Sequence, residues 1–218
     1  MEFQSKDEFL TKLLKRYDTW MSEGKIPSAS KVIPVGASLQ HLQWVLPTNQ
    51  AIEILRNARS FAVKNCICRA KYQRCDHPLE VCLVINDYAD LAVDKGEARR
   101  LSLDEAVTIL ELANQRGLMH LTLYNPEQHI CAVCSCCDCC CHQLQIMKLY
   151  QRPDLIAHSD YIASVDTTKC SHCGKCVQRC VFGAQLKTDQ VEYHPEYCYG
   201  CGLCVTSCPA KAISLKLR

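Results

Sequence analysis

Near the start of the chain, Phe9, Leu10, Leu13, Leu14, Tyr17, Trp20 and Met21 recur at helical spacing among charged neighbours, which predicts an opening helix. After a loop around Gly24, Pro27 and Pro34, a second helix is predicted to start near Thr48, with Ala51, Ile52, Leu55 and Ala58 on one face. Ser60 to Lys64 reads as a short strand that delivers the chain to Cys66. Further on, Ser102 and Glu105 form a capping box, Ala106, Ile109, Leu110 and Ala113 make an apolar stripe, and Gly117 closes the helix. Leu118 to Tyr124 follows as a strand and His142 to Tyr150 as a helix, and Pro153 marks the start of a linker. Residues 1–155 therefore read as one α+β domain with cysteine-rich loops at strand or helix ends. Residues 156–218 read as a second, smaller domain of two half-repeats, each a short strand, a cysteine loop, a short helix and a strand. Their period is about 28 residues, from Cys170 to Cys198.

Composition changes this picture through its cysteines. The chain has 218 residues and 19 Cys, so the 48% hydrophobic fraction overstates what is free to pack a core, and bound metal is expected to supply stability. Eight Cys form one ligand run written twice. Cys170, Cys173, Cys176 and Cys180 are spaced C-x₂-C-x₂-C-x₃-C, and so are Cys198, Cys201, Cys204 and Cys208, with Pro209 after the last. A tight C-x-x-C-x-x-C loop brings three thiolates onto three irons of a cubane, and the fourth iron takes a Cys from the other run. The expected ligand sets are thus Cys170, Cys173, Cys176 and Cys208 for one [4Fe–4S] cluster, and Cys198, Cys201, Cys204 and Cys180 for the other. Zinc would use C-x-x-C pairs and has no need of the third Cys. A disulfide framework is disfavoured because the opening MEFQSKDEFL has no apolar leader segment.

On these motifs residues 163–216 resemble a bacterial-type two-cluster ferredoxin domain. Val181 stands where that family usually has Pro, while Phe182, Gly183 and Ala184 keep its pattern after the fourth Cys. The resemblance implies a small pseudo-twofold α+β fold that carries one-electron equivalents on two [4Fe–4S] clusters.

Eleven Cys remain, all between Cys66 and Cys141. The first box holds Cys66, Cys68, Cys75 and Cys82; the second holds Cys134, Cys136, Cys137, Cys139, Cys140 and Cys141, with Cys131 just before it. The text NCICR…CDHPLEVCL followed by CSCCDCCCHQL resembles an uncharacterised group of microbial ferredoxin-like proteins, over roughly residues 45–218. That resemblance implies cofactor type rather than a reaction, and Cys131 lies outside its matched block. Four thiolates in the first box suffice for one cubane. Cys66 and Cys68 can serve the same centre only if the loop curls, because alternate strand residues point to opposite faces. The second box is too dense for one cubane. Either its surplus thiols are divided between two cubanes, or the two boxes jointly hold a larger or non-cubane cluster. A metallothionein-like zinc box, dithiol chemistry at Cys140 and Cys141, or a structural role for some of these Cys are the alternatives. Covalent haem is excluded by spacing, since Asp138 rather than Cys stands three before Cys141. Arg69, Arg74 and His77 beside the first box read as solvated loop charges, or, for Arg69, as a donor to cluster sulfide.

The formal charge is +2, but each oxidised cluster held by four thiolates brings about two negative charges, so the loaded protein is expected to be acidic. No basic run of five, only two Trp, and no apolar stretch of 18 residues point away from nucleic acid and from a membrane span. No glycine-rich dinucleotide or phosphate loop is present. Free thiols in such number predict a reducing cytoplasm, in an oxygen-poor cell. The expectation is an electron-transfer protein that passes electrons from its ferredoxin tail to further iron–sulfur centres, with redox proteins as partners. The other readings are a reductase whose unusual cluster binds a disulfide, thiol or low-potential small molecule, and a zinc-binding interaction module.

Overall fold

In the computed structural model, which describes residues 7–25, 30–33, 54–124 and 129–218, the opening periodicity becomes helix α1 (Glu8–Ser22). Asp7 caps it by accepting the Leu10 N–H at 2.8 Å, and Leu10, Leu13 and Tyr17 are its buried face. Most of the helix expected from Thr48, including Ala51 and Ile52, lies outside the described residues; residues 54–56 are helical and Leu55 is fully buried.

A seven-stranded sheet organises the chain as far as Ala157. Its strands are β1 (Ser30–Ile33), β2 (Phe61–Asn65), β3 (Glu80–Ile85), β4 (Arg99–Arg100), β5 (Met119–Tyr124), β6 (Ile130–Cys136) and β7 (Ile156–Ala157), in the order β4-β2-β3-β6-β5-β1-β7. All neighbours are antiparallel except β1 and β7. Between them run α2 (Ile67–Tyr72), α3 (Asp87–Asp94), α4 (Leu103–Gln115) and α5 (His142–Leu149). The α4 capping box forms as expected: Glu105 N–H donates to Ser102 Oγ, and Ser102 N–H donates to Glu105 Oε2 at 2.8 Å. Ala106 and Leu110 of α4 pack with Val63, Leu83, Ile85 and Val133 of the sheet in one buried cluster. None of the described helices is long and apolar enough to cross a membrane.

The remaining residues fold as two matched halves. β8 (Tyr161–Val165), α6 (Lys175–Arg179) and β9 (Gln185–Lys187) form the first; β10 (Val191–Tyr193), α7 (Leu203–Ser207) and β11 (Ile213–Leu217) form the second. β8 pairs with β11 and β9 with β10, both antiparallel, so the outer strands of the repeat meet each other and so do the inner ones. Gly174 and Gly202 occupy the same left-handed position before α6 and α7.

The two parts of the chain touch at Gly117 and Arg179. Gly117, just past the end of α4, has φ +79°, and an added methyl would stand 1.5 Å from Arg179 Nη1, whose guanidinium also donates to Gln115 O. Gly117→Ala is expected to cost about 1–2 kcal/mol through its left-handed backbone alone, and to displace Arg179 as well. At this chain length that is a fall of about 2–4 °C per kcal/mol in the thermal midpoint. Arg179→Ala should lower the midpoint less, because it leaves the backbone unstrained.

Candidate metal centres

The strand pleat decides where the cysteine boxes face. Along β3, Val81, Leu83 and Ile85 turn to the α4 side and are buried there, which sends Cys82 and Val84 to the opposite face. β6 pairs with β3 so that Leu83 meets Val133 and Val84 meets Ala132, which puts Ala132 and Cys134 on the face of Cys82. The Cys82 and Cys134 sulfurs are 3.8 Å apart. Cys66 ends the β2 connection and caps α2, and Cys68 lies in the first turn of that helix, so the chain curls and both thiols reach the same place. Cys141 caps α5 and interacts with Cys136. Five of the eleven cysteines expected in loops therefore lie inside elements, Cys68 in α2, Cys82 in β3, and Cys131, Cys134 and Cys136 in β6, while the other six stand at caps and turns.

Grouping in space cuts across the boxes. Cys66, Cys68, Cys82, Cys134, Cys136 and Cys141 line a cavity of about 240 Å³, and Cys137 and Cys140 reach its wall as well. Cys75, from the first box, leaves its neighbours and joins Cys137, Cys139 and Cys140; these four sulfurs all lie within 4.8 Å of one another. Cys131 lies at the edge of the cavity, where its thiol donates to Leu123 O at 3.4 Å and burial pushes its pKa up to about 11.

Crowding splits the six thiols into donors and acceptors of hydrogen bonds. Cys68 pulls the Cys66 thiol down to about 6, and Cys66 in turn holds Cys68 far above the ordinary range. Cys136 and Cys82 together hold Cys134 well below its ordinary value and are themselves pushed up by it. Such a set has room for few thiolates at once without a cation. A metal that displaces the remaining protons would relieve it.

Three further side chains complete the cavity wall. Arg69 is 1% exposed, which overturns its reading as a solvated loop charge. Its guanidinium donates to Pro78 O and to Ser135 O, anchored there by the turn after α2 and by β6. Burial opposes its charge, but Cys137, Cys66 and Cys136 keep its pKa above the ordinary value. Among the described residues Arg69 Nε and Gln143 Nε2 are buried donors with no hydrogen-bond partner, and both residues line the cavity. Two orphaned N–H donors beside six thiols are the environment an anionic iron–sulfur core requires. Arg74 is likewise engaged, donating to Cys139 O and Gln145 Oε1 and resting 4.4 Å from the Tyr72 ring centroid. His77, half-buried, has its pKa lowered by burial and lines a second cleft with Cys137, Arg179 and Cys180.

His142, Tyr17 and Gln143 were not legible as site residues. Tyr17 Oη and His142 Nε2 are 2.8 Å apart, and His142 Nδ1 is 2.9 Å from Cys68 Sγ, so α1 reaches through α5 to the thiol cavity. Burial lowers the His142 pKa to about 4 and raises that of Tyr17. The available signal was the stripe of α1, whose Tyr17 is the one polar-tipped member of its buried face.

In the C-terminal part, the thiols acting on Cys176 are Cys170 and Cys208, and those acting on Cys201 are Cys180 and Cys198. Burial raises Cys201 to about 12, and Cys204 is raised well beyond its ordinary value. The crossing cysteines are treated alike: Ala184 N–H donates to Cys180 Sγ at 3.2 Å and Ala212 N–H to Cys208 Sγ at 3.3 Å. Backbone donors on sulfur and apolar packing by Ala163, Ala184, Ile213 and Leu215 suit [4Fe–4S] binding.

Residues 191–214 match the family model for a 4Fe-4S binding domain. An uncharacterised ferredoxin of Methanocaldococcus jannaschii is 36% identical over 58 residues, which cover 75% of that protein and 24% of this chain. The chain belongs to the ferredoxin family. Pyruvate synthase subunit PorD of Methanothermobacter marburgensis is 38% identical over 52 residues, 24% of this chain and 62% of PorD. Both likenesses concern about a quarter of this ferredoxin, and the thiol cavity rests on its own geometry.

Proposed function

We propose that this ferredoxin is an electron-transfer protein of two units that divide after Ala157, the last strand residue of the large sheet, rather than at residue 155, in which the smaller unit passes electrons to an iron–sulfur centre in the six-thiol cavity of the larger. In the smaller unit Cys170, Cys173, Cys176 and Cys208 would hold one [4Fe–4S] cluster and Cys198, Cys201, Cys204 and Cys180 the other. Cys66, Cys68, Cys82, Cys134, Cys136 and Cys141 would hold a cluster larger than a four-thiolate cubane. These clusters supply one-electron storage, and the protein's residues space, bury and tune them.

One observation carries the reading: Cys136 and Cys141 of the cavity share a buried cluster with Cys201, through Met119, Leu121 and Tyr199. The inner ferredoxin thiols thus abut the cavity thiols across packed side chains. Phe182 and His158 stack on Tyr199 with ring centroids 4.2 and 4.0 Å away, which fixes that junction. Cys173 is exposed at the far end, so the outer run faces solvent and an incoming redox protein. A partner of that kind is in keeping with PorD, by name a subunit of pyruvate synthase. Cysteine ligands in such number suit a reducing, oxygen-poor cytoplasm.

A second reading, a reductase acting on a small molecule, is favoured by the cavity mouth. Ile67 and Tyr88 line the cavity and are 58% and 43% exposed, so it opens to the surface. Electron paramagnetic resonance of the fully reduced chain, prepared without oxygen, tests the electron-transfer reading. Magnetic coupling between the inner ferredoxin cluster and the cavity centre is expected. Independent, uncoupled signals would count against the junction, and a spectral change on adding a thiol or disulfide would favour the reductase.

A further inference from the structure

The four thiols of Cys75, Cys137, Cys139 and Cys140 gather around one point at the edge of the cavity, whose wall Cys137 and Cys140 also line, and among the described residues they are set off by the tightness of the whole group of four. Cys75 Sγ is 3.8 Å from Cys137 Sγ and 3.9 Å from Cys140 Sγ, and all four sulfurs lie within 4.8 Å of one another. A tetrahedral ion with metal–sulfur bonds of about 2.3 Å places its sulfurs about 3.8 Å apart. In a cubane each thiolate binds a different iron, so its sulfurs stand much further from one another. Among the described residues the ferredoxin thiols form no group this tight. The spacing therefore matches one ion and is too small for four irons.

We infer that Cys75, Cys137, Cys139 and Cys140 form a closed tetrathiolate site for a single tetrahedral ion, zinc or iron, distinct from every iron–sulfur cluster in the chain. This goes beyond the electron-transfer reading and does not depend on it. The local frame is built for such a site. Gln73 ends α2 in a left-handed conformation and turns the chain back, which brings Cys75 over the turn before α5. In that turn Cys141 N–H donates to Cys137 O at 3.1 Å. Arg74 donates to Cys139 O and Gln145 Nε2 to Cys140 O, so the carbonyls beside the ligands are held and cannot compete for the ion. Four thiolates on a divalent ion leave two negative charges. Arg69, in contact with Cys137, and Arg74 offset them.

With four protein ligands and no open position the ion is structural or a one-electron relay, and takes no substrate. It ties the loop between α2 and β3 to the turn that carries Cys136 and Cys141, and so sets one wall of the six-thiol cavity. Cys137 also lines the cleft shared with Cys180, which places the ion beside the ferredoxin unit.

Elemental analysis of the full chain prepared without oxygen tests this, with acid-labile sulfide as the deciding readout, because a single-ion site contains none. Cys75→Ser and Cys139→Ser are each expected to lose about one ion per chain with sulfide unchanged. Loss of zinc identifies a zinc site; loss of one iron identifies an iron site. Loss of about four irons with their sulfide in either variant would show a cubane and overturn the inference. Unchanged metal in both would overturn it too. Should the variants fail to fold, the unmutated chain decides: zinc-edge absorption with four sulfur neighbours at about 2.3 Å, or a tetrathiolate iron signal in its Mössbauer spectrum, supports the site. A chain showing neither overturns it.

Discussion

Cys134→Ala is expected to strip the six-thiol cavity of its iron, at least about four per chain, while the two ferredoxin clusters keep their full complement of about eight. Cys134 is the hub of the cavity. It stands 3.8 Å from Cys82, interacts with Cys136, and of the β6 thiols it is the one held well below its ordinary pKa. Removing it takes away the thiolate most ready to bind metal and leaves Cys82 and Cys136, both pushed up, without their partner. Cys131→Ala provides the contrast. That thiol is at the cavity edge, donates to Leu123 O and is pushed up to about 11 by burial, so its loss should leave iron and low-temperature spectra unchanged. Iron and sulfide analysis with paramagnetic resonance on both variants makes the comparison. Unchanged iron in Cys134→Ala would leave the cavity as a set of free thiols, which oxidation would quickly reveal.

How much of this site could be read from sequence differs element by element. Helices α1 and α4 were legible because long amphipathic stripes and a capping box leave little choice of conformation, and the ferredoxin tail was legible because its ligand spacing is written twice. Strands β3 and β6 were not. Beyond Glu80 at the start of β3, the face of EVCLVI and ICAVCSC opposite the core carries Cys, Val and Ala instead of charge, so an alternating strand reads as a continuous apolar run. Helix α2 has six residues, too few for a period to show. The division of the cysteines depends on both failures. Cys82 meets Cys134 only through the β3–β6 register, and Cys75 leaves its box only because the chain reverses at Gln73. The burial of Arg69 is hidden for a related reason: its sequence neighbours Cys68, Ala70 and Lys71 offer no partner for a guanidinium, while its neighbours in space, Pro78 and Ser135, offer two carbonyls.

Cys180→Ala is expected to destroy the cluster of the other ligand run, the one held mainly by Cys198, Cys201 and Cys204, and to spare that of Cys170, Cys173 and Cys176. Position in the chain argues the opposite, since Cys180 closes the first run. The fold reverses it. α6 and α7 lie side by side, with the outer strands β8 and β11 paired and the inner strands β9 and β10 paired, an arrangement in which the last Cys of each run would serve the other. The thiols acting on Cys201 are accordingly Cys180 and Cys198, while Cys208 acts on Cys176. Iron should fall by about four per chain. Because the cluster lost is the inner one, adjoining the cavity through Tyr199 and Leu121, coupling between the ferredoxin unit and the cavity centre should vanish with it. Cys208→Ala should remove the same amount of iron from the outer cluster and leave that coupling intact. The two variants thus differ in one spectral feature at equal iron content. If Cys180→Ala instead lost the outer cluster and kept the coupling, both the crossed ligand sets and the order of the electron route would be wrong.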